Sequence, residues 1–326
     1  MKLPVSFGSR LFYRVLLPGG IVSATIALLH KPSLTVDDKP LSASIMFLAM
    51  ALAAGLIFLL LDRPIYMLVE GRRYWPAFLW RAGMRSERRR LARLHRTMRR
   101  NNRLRSTVHC SRKDRAQLDR RYYEAASQIS DFPIDPVNCN PTVSWPTRLG
   151  NLIAAYEQYP NLKYGMDSIF YWPRLWLSID NDLRAEIDGQ QAIGDGAVYA
   201  AIGCWVSAAI VVADGIVGLW PGCLVGQFED LPPAVWLAPC LILAGYLLLR
   251  ISVFSYQQFG ESFTSLFDLK GNPLVDRGVA RILSHDYGLN LDRRSPQEQN
   301  RAIWRYLKWH RIRRRGETKN EKAIKK

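Results

Sequence analysis

The sequence predicts an all-α integral membrane protein with four transmembrane helices and a helical cytoplasmic domain. Two observations carry this class. Apolar and basic residues are segregated: 48% of the 326 residues are apolar and the formal net charge is +17, yet mean hydropathy is only -0.09. That average conceals very apolar stretches beside very basic ones. Four of the apolar stretches are long enough to cross about 30 Å of hydrocarbon as helices.

The first is Val15 to Leu29, "VLLPGGIVSATIALL". It reaches spanning length by including Leu11 to Tyr13 and letting Arg14 snorkel toward the headgroups. Pro18, Gly19 and Gly20 interrupt the run and no A-x-A-like site closes it, which favours a retained span over a cleaved signal peptide. Leu41 to Leu61, "LSASIMFLAMALAAGLIFLLL", carries no charge and is the strongest span. Residues 1–61 thus form a first hairpin. Asp62 to Gly196 reads as a basic helical domain. Ala197 to Leu219, broken only by Asp214, and Ala234 to Phe254, apolar up to Arg250, form a second hairpin within 197–254. Residues 255–312 are expected to be cytoplasmic helices. The tail 313–326 is basic, lacks an apolar stripe and reads as disordered.

Charge near the span ends sets orientation. Arg63, Arg72 and Arg73 follow the second span and Arg250 ends the fourth, whereas Trp220 to Pro233 contains no Lys or Arg and carries Glu229 and Asp230. The positive-inside rule then places both termini and the long middle segment in the cytoplasm, on the inner side of a membrane crossed several times. The outward loops are too short for an independent domain. Recognition or chemistry is therefore expected at the cytoplasmic face or inside the membrane. Cys110 and Cys139 fall inside, Cys204 and Cys240 within spans and only Cys223 outside, so no external disulfide can form within one chain.

The middle segment holds a basic amphipathic helix, "MRSERRRLARLHRTMRRNNRLR" from Met84 to Arg105. At 100° per residue Leu91, Leu94 and Met98 share one face, and Arg89, Arg93, Arg96, Arg100 and Arg103 gather opposite. Such a helix either packs on its own domain with arginines in solvent or lies against anionic lipid headgroups. Nucleic acid is not an expected partner, because no zinc finger or recognition-helix context accompanies the charge.

The densest unusual stretch is Trp145 to Trp176. Leu149, Leu152, Ile153, Tyr156 and Tyr159 recur at helical spacing, Thr147 can cap that helix, and Pro160 and Gly165 limit it. An apolar run from Ile169 to Ile179 follows, with Trp172 and Trp176 in it and a break expected at Pro173. Core packing, contact with the membrane interface and ligand binding are all open to this stretch. Arg174 is expected to form an internal fork with Asp167, and Arg148 completes a trio suited to paired oxygens.

"PTRLGNLIAAYEQYPNLKYGMDSIFYWPRLW" resembles a recurring segment of uncharacterised bacterial multi-pass membrane proteins, with a PT-x-LGN turn before a Tyr-rich helix and a YG-x-D…WPRL element. "FGESFTSLFDLKGNPLV" and "SPQEQNRAIWRYLKW" resemble the C-terminal part of the same group, although Lys270 stands where the group has an arginine. The resemblance implies membrane topology and brings no mechanism with it.

Direct signs of chemistry are few. The five histidines form no i,i+4 pair, and there is no Walker A loop, G-x-S-x-G, G-x-G-x-x-G or Cys-x-x-Cys, so neither a metal nor a cofactor is expected. Glu157, Asp167, Asp180 and Asp182 are the weak candidates for acid or base work, with helix caps and ion pairs as their plainer roles. Asp214 is an intramembrane carboxylate of the kind that marks ion or proton paths. The function expected is non-enzymatic: a scaffold or partner-binding protein at the cytoplasmic face, meeting anionic lipids and a protein partner or a second copy. The alternatives are a membrane-embedded enzyme on a lipid-like substrate and an ion or proton pathway through Asp214.

Overall fold

A computed structural model describes residues 11–29, 40–105, 112–218, 231–270 and 295–309. The fold is all-α, and among the described residues the one extended pairing is a bridge between Ile134 and Pro141. A π-helical turn, Phe12–Leu16, leads into α1 (Leu17–Leu29), followed by α2 (Pro40–Leu60), α3 (Asp62–Val69), α4 (Ala77–Arg105) and α5 (Arg112–Ile129). Then come α6 (Arg148–Tyr164), α7 (Ser168–Ser178), α8 (Asn181–Gly218), α9 (Leu231–Lys270) and α10 (Pro296–Trp309). The chain divides into two compact units. One comprises Met1–Leu79, Thr147–Leu149 and Ala185–Phe259; the other comprises Trp80–Pro146, Gly150–Arg184 and Gly260–Lys326.

The first unit holds the apolar helices. Phe12–Leu29, Asn181–Gly215 and Trp236–Asp268 are each long and apolar enough to cross a membrane. Ser44–Leu60 passes the same test jointly with Asp62–Val69, from which it is bent by 66°. The described residues thus hold three candidate spans, or four if the bent pair is one. Pro18 and Gly19 do not interrupt the first helix. Gly19 instead sits so close to α2 that a Cβ there would lie 1.9 Å from the Ala51 carbonyl oxygen, and a Cβ on Gly55 would lie 2.3 Å from that of Val15. Small residues let apolar helices approach backbone to backbone, where dispersion is strongest. The order of contacts gives direction. Val15 meets Gly55 while Gly19 meets Ala51, so the first two helices are antiparallel; Tyr13 meets Gly196 while Pro18 meets Gly203, so α8 runs parallel to the first. Gly194 meets Tyr256, and Gly245 meets Ala201 and Trp205, which makes α9 antiparallel to α8.

The hydropathy boundary at Gly196 is not a structural boundary. Helix α8 begins fifteen residues earlier, at Asn181, and α9 continues past Phe254 to Lys270. Main-chain hydrogen bonding continues regardless of side-chain polarity, so a charged residue ends a hydropathy window without ending a helix.

The second unit gathers a conventional core. Leu91, Ile129 and Phe132 are buried together, with Leu94, Met98 and Val143 against them. The Arg90 guanidinium lies 5.0 Å from the Phe132 ring centroid and reaches Glu87 at 3.2 Å and Asp131 at 3.4 Å. Leu152, Met166, Leu175, Phe267 and Ile303 are also buried. Helix α10 docks on the corner between α6 and α7: Gln297 donates to the Lys163 carbonyl at 2.8 Å and Asn300 to that of Tyr164 at 2.8 Å. Gly165, with φ 67°, makes that corner, and a Cβ there would come within 2.4 Å of the Gln297 carbonyl. Ile303 of α10 is buried in the same unit. The turn at Gly271 to Pro273, the tail 313–326, Cys110 and Cys223 lie outside the described residues.

Candidate functional site

Among the described residues, the most deeply buried charged side chain is that of Asp195, which is 1% exposed. By hydropathy it lies at the edge of the 62–196 segment. In α8 it faces other helices of the first unit, and its carboxylate gathers groups from the π-helical turn, α3 and α9. Arg14, in the π-helical turn, donates from Nε to Oδ2 at 2.8 Å and from a second guanidinium nitrogen to the same oxygen. Tyr66 of α3 and Tyr256 of α9 both donate to Oδ1, and their phenol oxygens lie 2.7 Å apart. One helical turn beyond Asp195, buried Tyr199 donates to Asp62, the first residue of α3 after the bend. The Tyr66 and Tyr199 rings meet edge to face, with centroids 6.2 Å apart.

The local sequence explains this layer. Asp62 and Tyr66 are four residues apart, as are Asp195 and Tyr199, so each pair lies on one helix face. Arg14 does not snorkel; its cation is held inside by the carboxylate. An ionised carboxylate offers about four acceptor positions, and here two N–H and two O–H donors address it. A buried charge is tolerable when it is paired and its remaining positions are satisfied. Asp195 is consequently a structural lock joining the first, bent second, third and fourth apolar helices. Sequence reasoning missed it because partners 181 residues apart leave no local signal; the paired Asp-x-x-x-Tyr spacing was the available clue.

The residues singled out from sequence are dispersed. Asp167 caps α7, accepting from the Phe170 amide at 2.8 Å. Arg174 donates to the Phe170 carbonyl at 2.7 Å and stacks 3.8 Å from its ring centroid. The expected fork to Asp167 is thus corrected: both residues serve Phe170 from opposite sides. Pro173 does not break α7, so the two lie seven residues, about 10 Å of helix rise, apart. Arg148 opens α6 and belongs to the first unit, whereas Arg174 and Asp167 belong to the second.

Trp172 packs against Phe263, with centroids 4.7 Å apart, and against Trp176 at 5.3 Å. Asn151, buried at the start of α6, clamps the chain before it. Its Oδ1 accepts from Ser144 and Trp145 amides at 3.0 and 2.9 Å, and its Nδ2 donates to the Trp145 carbonyl at 2.8 Å. That clamp gives the Leu-Gly-Asn string a structural purpose. Much of the 145–176 stretch is therefore core, although Ile169 within it, and Leu177 just past its end, remain exposed.

Asp180 and Asp182 are exposed at the start of α8, Glu157 is half-buried in α6, and Asp214 is exposed near the end of α8. Tyr171 is buried, and its phenol is pushed up to about 12 mainly by that burial. Cys204 is buried, as a small apolar filler would be, but Cys139 and Cys240 are exposed. Among the described residues no three His, Cys, Asp or Glu side chains converge to hold a metal ion. Arg89, Arg93, Arg96, Arg100 and Arg103 are all exposed along α4. No family model, curated protein or solved structure matches the chain.

Proposed function

We propose that the protein is a non-enzymatic scaffold of the bacterial inner membrane, multi-pass with both termini cytoplasmic, which binds partners at the cytoplasmic face. The observation that carries this reading is the arginine row of α4. Arg89, Arg93, Arg96 and Arg100 are exposed, while Leu91, Leu94 and Met98 of the same helix are used on the core. The apolar side is occupied and the cationic side is accessible. A planar guanidinium matches paired phosphate oxygens, and anionic leaflets attract such clusters, so anionic lipid is the first partner. The donor-filled Asp195 supports a structural role for the buried polar layer. The bacterial assignment rests on the sequence resemblance, and the side of the membrane on the arginines that flank the spans.

Replacing Arg89, Arg93, Arg96 and Arg100 together by Gln tests the reading. At roughly 1 kcal/mol per basic residue near an anionic surface, phosphatidylglycerol and cardiolipin recovered with the protein from native membranes should fall on the order of tenfold or more, with helicity unchanged. A protein partner or second copy held by the same face should be lost with them. An unchanged complement of lipids and proteins would defeat the proposal.

A further inference from the structure

The corner between α3 and α4, one short helix past the end of α2, presents apolar surface, and so does the end of α2 itself. Leu60, the last residue of α2, is 84% exposed, and Tyr74 and Phe78 are 65% and 69% exposed, with Leu68 and Leu79 also exposed. Two cations, Arg63 and Arg73, are exposed beside them in sequence. The corner is held in shape. The Arg72 and Arg73 amides both donate to the Met67 carbonyl, at 2.9 and 3.1 Å, and Gly71 donates to that of Leu68 at 3.0 Å. The Trp75 indole also donates to the Leu68 carbonyl, at 2.7 Å. Arg72 pairs with Glu70, whose carbonyl accepts from the Thr147 hydroxyl at 2.9 Å. Tyr74 is held at φ 67°, a conformation uncommon for a bulky residue, and its ring is turned outward.

We propose that the corner from Leu68 to Leu79 is an interfacial anchor that lies in the headgroup layer of the bilayer and fixes the depth at which α2 ends. The 66° bend between α2 and α3 turns the chain away from the span axis, and spans tilt by only about 20° on average. Helix α3 and the corner after it therefore run nearer to the membrane plane than to its normal. That layer suits rings with an apolar body and a polar edge, and arginines that reach phosphate. Continuity with the span and the cations at Arg63 and Arg73 favour lipid over a second protein as the occupant.

The test uses the full chain in vesicles of phosphatidylethanolamine and phosphatidylglycerol, with Phe78 replaced by p-benzoylphenylalanine and irradiated. The peptide carrying position 78 should gain the mass of one phospholipid. The same replacement at Leu56, exposed within α2, reports separately on whether α2 meets lipid. Lipid adducts at 56 with only protein adducts, or none, at 78 would overturn the anchor while leaving the span intact. Absence of lipid adducts at 56 would overturn both. If the chain does not fold with the replacement at 78, position 74 carries the same expectation.

Discussion

Asp195→Ala should be among the most damaging single substitutions in the first unit, lowering stability in detergent by about 3 to 5 kcal/mol. The substitution strands the Arg14 guanidinium among apolar helices and removes the acceptor of two buried phenols. Arg14→Ala should cost a similar amount, because it leaves the carboxylate with phenol donors and no cation. The pair Arg14→Met with Asp195→Leu should be much less harmful than the sum of the single changes, since no orphan charge remains. Reversible unfolding in mixed micelles measures each difference. Single variants within about 0.5 kcal/mol of the parent, the ordinary range for surface substitutions, would show that Asp195 does not lock the helices together.

The second large effect belongs to the glycines of the first hairpin, and it separates neighbours in sequence. Gly19→Ala and Gly55→Ala should each destabilise, because the added methyl would meet a backbone carbonyl at 1.9 or 2.3 Å and only separation of the helices relieves that contact. Overpacking of this kind costs about 1 to 3 kcal/mol, and a leucine at either position should prevent the hairpin from closing. Gly20→Ala is the control. Nothing lies within 4 Å of a Cβ at that position, and alanine favours the helix by about 1 kcal/mol, so stability should hold or rise. Equal responses at positions 19 and 20 would contradict the close approach of α1 and α2.

Elements set by local periodicity were legible in the sequence. The uncharged run from Leu41 to Leu61 became α2, and the arginine and leucine faces of α4 followed from 100° per residue alone. The site was much less legible. Asp195 falls next to the 196/197 hydropathy boundary because a charge ends a hydropathy window, whereas its solvation is supplied by Arg14, Tyr66 and Tyr256 from distant parts of the chain. The expected fork from Arg174 to Asp167 fails for a local reason: Pro173, where a break is expected, does not break α7. With the helix continuous, two turns separate them, and the Phe170 carbonyl and ring are the nearer partners. Pro18, Gly19 and Gly20 were likewise read as an interruption, when Gly19 is the point of closest approach to α2.

The proposed scaffold crosses the membrane four times and keeps its basic unit in the cytoplasm. The parallel packing of the first helix and α8 sharpens the consequence: the chain following α1 and the chain following α8 must emerge on the same side. Topology reporters fused after His30 and Trp220 measure this directly, together with fusions after Ser111 and Lys326. The predicted result is exterior signals at His30 and Trp220 and cytoplasmic signals at Ser111 and Lys326. Signals from His30 and Trp220 on opposite sides, or a cytoplasmic signal from both with Ser111 outside, would contradict it.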